Sequence, residues 1–334
     1  MVSAVIFVAT SCVSPLTGFA FWETNLAYEG ESIYNYLQVK NLSDRTILST
    51  NVLFGVQSVT MKDKGLTGMY YDTALAAPAL ADNANSALIL GMGTGTYARQ
   101  LKQYYPKMNI TGVEIDQKIT DLAGEYFDEP ADIPVTTYDG RAWLAASHDK
   151  YDVIMVDAYQ DITVPFQMSS TEFFTMVREH LNPGGVMVVN MNMISDGQGS
   201  INEALSDTIA SLFGNGNTLT ADVPNTTNRE LFAKKPGSGS EENSMQQASK
   251  ALNLRETTYE RTGSEDLEWY MEEVASRFRK VNEPDSASTI LTDDKAPVEV
   301  LGMHAIDQII ADEAGPYRQI LKDEGFGGLL RAVQ

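Results

Sequence analysis

Residues 87–96 read Ala-Leu-Ile-Leu-Gly-Met-Gly-Thr-Gly-Thr, and residues 112–116 read Gly-Val-Glu-Ile-Asp. The first stretch has the pattern of a buried strand, a turn with glycine at every second position and the start of a helix. The second is an apolar strand that ends in a carboxylate. This combination is typical of a Rossmann-like fold that holds an adenosine-containing cofactor, because glycines let the backbone approach the ligand and the carboxylate accepts the ribose hydroxyls.

The glycine turn, formed by Gly91, Gly93 and Gly95, differs from a dinucleotide fingerprint at its third glycine, since position 96 is threonine. Thr96 favours an S-adenosyl-type ligand over NAD, because such a ligand has no pyrophosphate to seat on a helix N-terminus. A glycine-rich turn alone can also serve only close helix-to-sheet packing. The carboxylates that follow neighbouring strands favour the cofactor interpretation.

Composition excludes several classes of partner. The formal charge of −21 over 334 residues argues against a nucleic-acid partner, which requires a basic face. Cys12 is the single cysteine, and the three histidines are scattered along the chain, so no cluster has metal-ligand spacing. We therefore expect no disulfide within the chain and no metal cofactor.

Residues 1–22 carry no charged side chain and form an apolar run long enough to span a bilayer. We predict an apolar leader or transmembrane segment there, with membrane anchoring as its consequence. Lys40 and Arg45 just beyond it favour a cytoplasmic catalytic domain. Several Ser and Thr residues and Pro15 dilute the run, so a buried N-terminal segment in a cytoplasmic protein stays open as the alternative.

The chain divides by pattern into further segments. Short β-prone runs at 33–39, 46–48 and 56–60 predict a small antiparallel β domain over residues 23–66. Alternating helices and strands follow over residues 67–300, and a C-terminal helical tail is expected over 301–334.

The alternating region predicts an α/β doubly wound sheet covered by helices on both faces. Its strands are expected at 86–91, 109–115, 133–138, 151–157 and 184–192, with helices near 199–213, 242–252 and 265–281. A hairpin over 218–233 is what a class I S-adenosylmethionine-dependent methyltransferase-like (Rossmann-like) fold adds to its parallel strands. We therefore predict a nucleoside-cofactor domain of that class.

Three carboxylates follow predicted strands: Glu114, Asp139 and Asp157. The carboxyl ends of parallel strands meet at one edge of the sheet, so we expect these side chains to converge on a crevice. Glu114 would hold the ribose, and Asp139, with backbone help from Gly140, would accept from the adenine amino group. A helix N-cap role stays open for either residue.

Asp157 ends an otherwise apolar strand and is expected beside the reactive carbon of the cofactor. A carboxylate there can bind an ammonium group and take its proton. An amine with a pKa of about 10 needs this step, because it is not a nucleophile until it is deprotonated. A capping or loop-anchoring role is the alternative. Asp161 in the following loop is a second candidate.

Together these motifs resemble the polyamine aminopropyltransferases, the spermidine synthase family, and within it a spermidine synthase-like branch often fused to membrane segments. The resemblance rests on the glycine turn, the strand that ends at Asp157, Val-Glu-Ile-Asp at 113–116, Tyr-Asp-Gly-Arg at 138–141 and Gly-Met-Tyr-Tyr-Asp at 68–72. It implies that an amine such as putrescine attacks the aminopropyl carbon of decarboxylated S-adenosylmethionine, which releases methylthioadenosine.

The resemblance also implies residue roles. Glu114 matches the ribose-binding glutamate, Asp139 the adenine-side aspartate and Asp157 the catalytic aspartate. Tyr71 matches a substrate-side tyrosine, and Gln57 falls near a glutamine on the β domain. A small-molecule amine substrate and a homodimer are further expectations from the family.

The chain departs from the family pattern where an amine would bind. Thr94 replaces an aspartate of the glycine turn, Thr73 replaces a glutamate, and the second acid after Asp157 is displaced by one residue to Asp161. An ammonium group buried without paired carboxylates is costly. Two alternatives therefore stay open: an S-adenosylmethionine-dependent methyltransferase, and a catalytically silent nucleoside-binding module on a membrane anchor.

Overall fold

The computed structural model describes residues 23–51, 56–128, 130, 132–158, 164–192, 199–214, 216–237, 244–286 and 288–303. The predicted leader at 1–22, nearly all of the predicted tail, and Asp161 lie outside these ranges. Within them, no helix combines the length and the apolar composition that crossing a membrane requires.

The N-terminal segment forms a four-stranded antiparallel sheet whose strands follow one another in chain order. They are β1 (Leu26–Glu31), β2 (Tyr36–Asn41), β3 (Arg45–Thr50) and β4 (Ser58–Met61). Its buried face packs through Leu37, Val39 and Leu48 onto Ile119, Leu122 and Phe127. The last three residues belong to the helix Gln117–Tyr126 and its C-cap. This contact fixes the small sheet over one end of the larger one.

Two details of the small sheet differ from the sequence prediction. Ile33 was expected in a strand, but it lies in the turn before β2 with 90% of its surface exposed, because Ser32 and Asn35 close that turn through a backbone hydrogen bond of 2.8 Å. Strand β1 was not predicted, since its sequence Leu-Ala-Tyr-Glu-Gly-Glu mixes charged residues and glycine with few apolar ones.

The larger sheet has eight strands in the order β12-β10-β11-β9-β8-β5-β6-β7. Strands β5 to β9 run parallel to one another, and β11, β10 and β12 add antiparallel pairs beside β9. Their bounds are β5 (Ser86–Leu90), β6 (Asn109–Glu114), β7 (Val135–Thr137), β8 (Tyr151–Val156), β9 (Leu181–Asn192), β10 (Thr218–Asp222), β11 (Asn228–Lys234) and β12 (Arg279–Lys280).

Helices cover both faces of this sheet and bury an apolar cluster on each. They are α1 (Tyr70–Ala74), α2 (Ala76–Leu80), α3 (Thr96–Tyr104), α4 (Gln117–Tyr126), α5 (Gly140–Ala146), α6 (Thr171–His180), α7 (Ile201–Phe213), α8 (Ser244–Ala248), α9 (Ala251–Thr262) and α10 (Glu265–Arg277), with a 3-10 turn at Phe166–Met168. The predicted α/β doubly wound class with a small antiparallel β domain is therefore confirmed.

The helices after the hairpin fit the prediction less well. A helix was expected near 242–252, but the structure has the short α8 and then α9, which was not predicted. Only Leu254 and Thr258 of α9 are buried, so its sequence lacks the apolar stripe that identifies an amphipathic helix. Helix α10 ends at Arg277, short of 281, because β12 begins at Arg279.

The strand order places the functional edge of the sheet. β5 lies centrally, and the chain continues to β6 on one side but returns to β8 on the other. The loops after β5 and β8 therefore diverge to opposite faces and leave a crevice at the carboxyl ends of the strands, which is where open α/β sheets bind ligands.

Candidate active site

A cavity of about 480 Å³ lies at this crevice, between the carboxyl ends of the parallel strands and the small N-terminal sheet. Gly95 lies outside its wall and caps α3 with a φ of 79°. All other described residues that the sequence predicted for the site line it: Gln57, Tyr71, Gly91, Gly93, Glu114, Asp139, Gly140 and Asp157. The predicted convergence of three strand-end carboxylates on one cavity is what the structure has.

The glycine turn brings two strand ends unusually close together. A Cβ atom on Gly91 would lie 2.4 Å from the backbone oxygen of Asp157, and the φ of Gly91 is 88°. Glycine is required here on both counts, since other residues rarely adopt that φ and any side chain would collide with β8. The turn therefore holds the backbone at Gly91 close to Asp157.

Glu114 at the end of β6 is buried and faces the turn. Its carboxylate accepts hydrogen bonds from the backbone N–H of Gly93 at 2.8 Å and of Asp116 at 3.0 Å. Burial raises the pKa of the Glu114 carboxyl, while these backbone donors lower it. A carboxylate has about four acceptor positions, so Glu114 retains acceptor capacity for the hydroxyls of a ribose.

Asp139 is the N-cap of a helix and also lies in the cavity wall. Its carboxylate caps α5 by accepting from the Ala142 N–H at 2.7 Å, and the residue also lines the cavity. The cap fixes the carboxylate at the cavity wall. Ile115 and Tyr138 line the same end and are 40% and 57% exposed, so apolar surface is available beside Asp139 for a planar base.

Asp157 has two hydrogen-bond donors that sequence reasoning missed. The Tyr70 hydroxyl donates to its Oδ2 at 2.6 Å, and the Asn190 side-chain amide donates to its Oδ1 at 2.9 Å. The pKa of Asp157 is raised to about 7. Burial is the largest cause, the bonds from Tyr70 and Asn190 lower the pKa, and the charge of Glu114 raises it. A carboxyl that titrates near neutral pH can take a proton from a bound amine.

The two adjacent tyrosines of α1, Tyr70 and Tyr71, form hydrogen bonds to different parts of the cavity wall. The rings of Tyr70 and Tyr71 lie 4.0 Å apart between centroids. Tyr70 reaches Asp157, whereas the Tyr71 hydroxyl donates to the backbone oxygen of Gln57 at 2.9 Å. Tyr71, which the sequence predicted, lines the cavity without a hydrogen bond to Asp157. The sequence has two adjacent tyrosines at 70–71, and Tyr70, one position before the predicted Tyr71, is the one that bonds Asp157.

The start of α1 is held by Asp72. Its carboxylate accepts from the backbone N–H groups of Thr67 at 2.9 Å and Gly68 at 2.7 Å. The block at 67–72 is therefore a built turn that orients both tyrosines.

The far end of the cavity is rich in amides. Asn190 accepts from the side chain of Asn228 at 2.9 Å, and among the described residues the acidic members of the wall are Glu114, Asp139 and Asp157. Other neutral polar side chains also line the cavity: Gln57, Gln167, Asn192, Thr227 and Asn228. Asn190 lies near the end of the predicted strand at 184–192, the next strand after that of Asp157, and this was the only sequence signal for it.

Two positions where the chain departs from the family pattern lie outside the wall. Thr94 is fully buried, and its backbone N–H donates to the Ser58 hydroxyl at 3.4 Å. The Thr73 hydroxyl lies 3.0 Å from the Tyr270 hydroxyl. Neither side chain is among those that line the cavity.

Relatives of known class resemble this chain. The family model described as Spermine/spermidine synthase domain matches residues 69–234. The chain is 99% identical over 334 residues to a "Probable polyamine aminopropyl transferase" of Bifidobacterium longum (strain NCC 2705), and it covers 75% of that protein. It is 37% identical over 131 residues to a polyamine aminopropyltransferase of Corynebacterium efficiens, across 36% of this chain and 25% of that protein.

Solved structures show the same fold. A probable spermidine synthase from Corynebacterium glutamicum superposes with a TM-score of 0.55 at 20% identity, over 80% of this chain and 99% of that one. A spermidine synthase in complex with the transition-state analogue AdoDATO gives a TM-score of 0.53 at 19% identity, over 64% of this chain and 75% of that one.

The fold and the site define a Rossmann-like, nucleoside-dependent transferase. The chain belongs to the polyamine aminopropyltransferase, or spermidine synthase, family, as its 99% identity over 334 residues to the Bifidobacterium protein shows. The family predicted from the sequence is confirmed. Among the described residues no group of His, Cys, Asp and Glu could hold a metal ion.

Proposed function

We propose that this chain transfers the aminopropyl group of decarboxylated S-adenosylmethionine to a small-molecule amine such as putrescine. One observation carries the proposal: Asp157 lies in the wall of the nucleoside-type cavity and has a pKa of about 7, with Tyr70 and Asn190 fixing its two oxygens. The full-length relative named as a probable polyamine aminopropyl transferase supports the same reaction.

The residues divide the work between binding and proton transfer. Gly91, Gly93 and Glu114 hold the ribose side of the donor, and Asp139 with Gly140 holds the adenine. The acceptor enters beside Asp157, with Tyr71 and Gln57 on the opposite wall and Asp161, outside the described residues, as a further contact. This positioning supplies much of the catalysis, because it converts a two-substrate displacement into a reaction between oriented groups.

The proposed chemical step is a nucleophilic displacement that requires no oxidant or reductant. Asp157 takes a proton from the acceptor ammonium, so that the nitrogen has a free lone pair. That lone pair forms a new C–N bond at the aminopropyl carbon, and the C–S bond breaks with its electrons on sulfur. The sulfonium becomes the neutral thioether of methylthioadenosine.

Calorimetry and product analysis test this function. We expect the chain to bind decarboxylated S-adenosylmethionine and methylthioadenosine more tightly than S-adenosylmethionine, and to form an aminopropylated amine from putrescine that mass spectrometry detects. A methylated product from S-adenosylmethionine would instead establish a methyltransferase. Tight nucleoside binding without product from a panel of amines would establish a silent binding module.

Three finer expectations stay proposals. We propose that the chain forms a homodimer, which sedimentation of the purified protein tests. Membrane anchoring by residues 1–22 is tested by flotation with vesicles of the chain with and without that segment. The boundaries 23–66, 67–300 and 301–334 are tested by limited proteolysis, which should cut between the proposed segments.

A further inference from the structure

Glu230 on β11 is a buried carboxyl whose place in the protein is unexplained by the site described so far. Its surface is 0% exposed, and neither carboxylate oxygen has a hydrogen-bond partner among the described residues. Burying a carboxyl without partners is unfavourable, and buried polar groups in folded proteins are nearly always bonded. Packing alone therefore does not account for a carboxyl group at position 230.

The strand register places Glu230 beside the base. Glu230 on β11 pairs directly with Asn190 on β9, and Val189 of β9 pairs with Val156, the residue before Asp157. Directly paired residues project to the same face of a sheet. Asp157, Asn190 and Glu230 therefore form a row across three strands, with Asn190 bonded to Asp157 at 2.9 Å.

The row lies at the acceptor end of the cavity. Asp157 and Asn190 line the cavity wall, whereas Glu230 does not. Glu230 lies next to Asn190 on the neighbouring strand. Glu114 and Asp139 belong to the nucleoside end. Asp157 is thus the one acid that the described wall offers to a cationic amine, and Glu230 is the next carboxyl along the row.

Among the described residues, no cation acts on Glu230 to hold it ionised. Asp157 and Tyr97 are the titratable groups that sense its charge. On α1, which packs against β11, Tyr70 bonds Asp157 and Asp72 bonds residues 67–68. Lys234, four residues along the strand, is paired with Asp82 at 2.8 Å. Burial and the charge of Asp157 both raise the pKa of Glu230 well above its ordinary value.

We propose that Glu230 is a positioning residue of the acceptor site, protonated in the absence of an amine and ionised when a cationic acceptor binds beside Asp157. The O–H bond of Glu230 breaks and its proton passes to solvent, so that two buried negative charges then hold the cation. The proposal rests on the proposed function. It accounts for a buried carboxyl that has no partner until a cation arrives.

Calorimetry of amine binding tests the proposal. Putrescine is titrated into the full chain saturated with methylthioadenosine, at pH 7.5, in two buffers that differ in ionisation enthalpy. We expect the wild-type chain to release up to one more proton per bound amine than Glu230→Gln, and the variant to bind putrescine about tenfold more weakly. Its KM for the amine should rise more than its kcat falls.

Two further variants separate this role from a structural one. Glu273→Gln removes one negative charge from the exposed face of α10 and should match the wild type in affinity and proton release. Glu230→Leu removes the unpartnered carboxyl and should raise the melting temperature while it weakens amine binding. A lower melting temperature with unchanged amine binding would show that Glu230 is only structural.

The outcomes also distinguish this proposal from the function on which it rests. If the wild type transfers the aminopropyl group and Glu230→Gln keeps its affinity and proton count, the role of Glu230 is overturned and the function stands. If the wild type binds methylthioadenosine but neither binds nor modifies any amine, both are overturned.

Discussion

The two ends of the cavity are built in different ways. The nucleoside end comes from consecutive strand-to-helix units, in which Gly91, Gly93, Glu114 and Asp139 are placed by the backbone turns that contain them. The acceptor end is assembled from side chains far apart in sequence, among them Gln57, Tyr70, Asp157, Asn190 and Asn228.

The difference also appears in charge. The nucleoside end has two carboxylates, each fixed by backbone N–H donors. The acceptor end has Asp157, fixed by the side chains of Tyr70 and Asn190, and a wall of neutral amides. The first end is thus specified by local backbone geometry, and the second by tertiary contacts that adjust the titration of one acid. Substitutions at the two ends should therefore have separable effects.

The largest expected effect belongs to Asp157→Asn at the acceptor end. Loss of the base should lower kcat for aminopropyl transfer by about 10²–10⁴-fold, because the amide cannot take a proton from the amine. Affinity for methylthioadenosine should not change, since the nucleoside end is intact. Stopped-time product assays and calorimetry measure the two quantities, and an equal loss of both would show that the two ends are not separable.

Gly91→Ala tests the point at which the two ends meet. The added Cβ collides with the backbone of Asp157 and the positive φ is strained, which costs about 1–3 kcal/mol or more. Both nucleoside binding and transfer should fall, together with the melting temperature. Gly124→Ala in α4 is the matched control, because nothing lies within 4 Å of its Cβ and the change should stabilise the helix by roughly 0.5–1 kcal/mol.

Glu114→Gln should act mainly on the nucleoside end, with a smaller lowering of the pKa of Asp157, which the charge of Glu114 raises. Hydrogen bonds to a charged group contribute about 1.5–3 kcal/mol, so affinity for methylthioadenosine should fall by roughly 10- to 150-fold. At saturating donor, kcat should stay within a few-fold of the wild type. Calorimetry checks the affinity, and unchanged nucleoside binding would remove Glu114 from the ribose site.

Tyr70→Phe should shift the titration of Asp157. The Tyr70 hydroxyl lowers the pKa of Asp157 by bonding its ionised form, so its loss should raise that pKa by about one unit, using 1.4 kcal/mol per unit. The active form of Asp157 is the ionised one, and the rise with pH of kcat/KM for the amine should therefore move to higher pH.

Tyr71→Phe is the matched control for that shift. The Tyr71 hydroxyl donates to the backbone of Gln57, so the midpoint of the pH profile should stay in place. A shift of similar size in both variants would show that the ring pair, and not the Tyr70 hydroxyl, controls Asp157.

The sequence identified the residues that line the proposed nucleoside end because its signals are local. A glycine turn between two apolar strands and a carboxylate at each strand end specify Gly91, Gly93, Glu114 and Asp139 without knowledge of any distant residue. The same holds for Asp157, which ends a fully buried strand.

The acceptor end could not be predicted in the same way. Asn190 and Glu230 become neighbours of Asp157 only through the pairing of β8, β9 and β11, and nothing in their local sequence specifies that register. Tyr70 was missed because a helix of five residues, α1, sets which of two adjacent tyrosines points at Asp157. Thr94 was identified as the replacement of a family aspartate that holds an amine, and the packing of the turn against Ser58 buries it.

The pH dependence of single-turnover aminopropyl transfer tests the central claim most directly. With donor saturating and putrescine far below its KM, the wild-type rate should rise with pH through an inflection near the pKa of Asp157 before the amine binds, about 7, because the carboxyl must be ionised to accept the proton of the amine. Asp157→Asn should be slower at every pH and lack that inflection. A variant that keeps the wild-type rate and the same inflection would contradict the account.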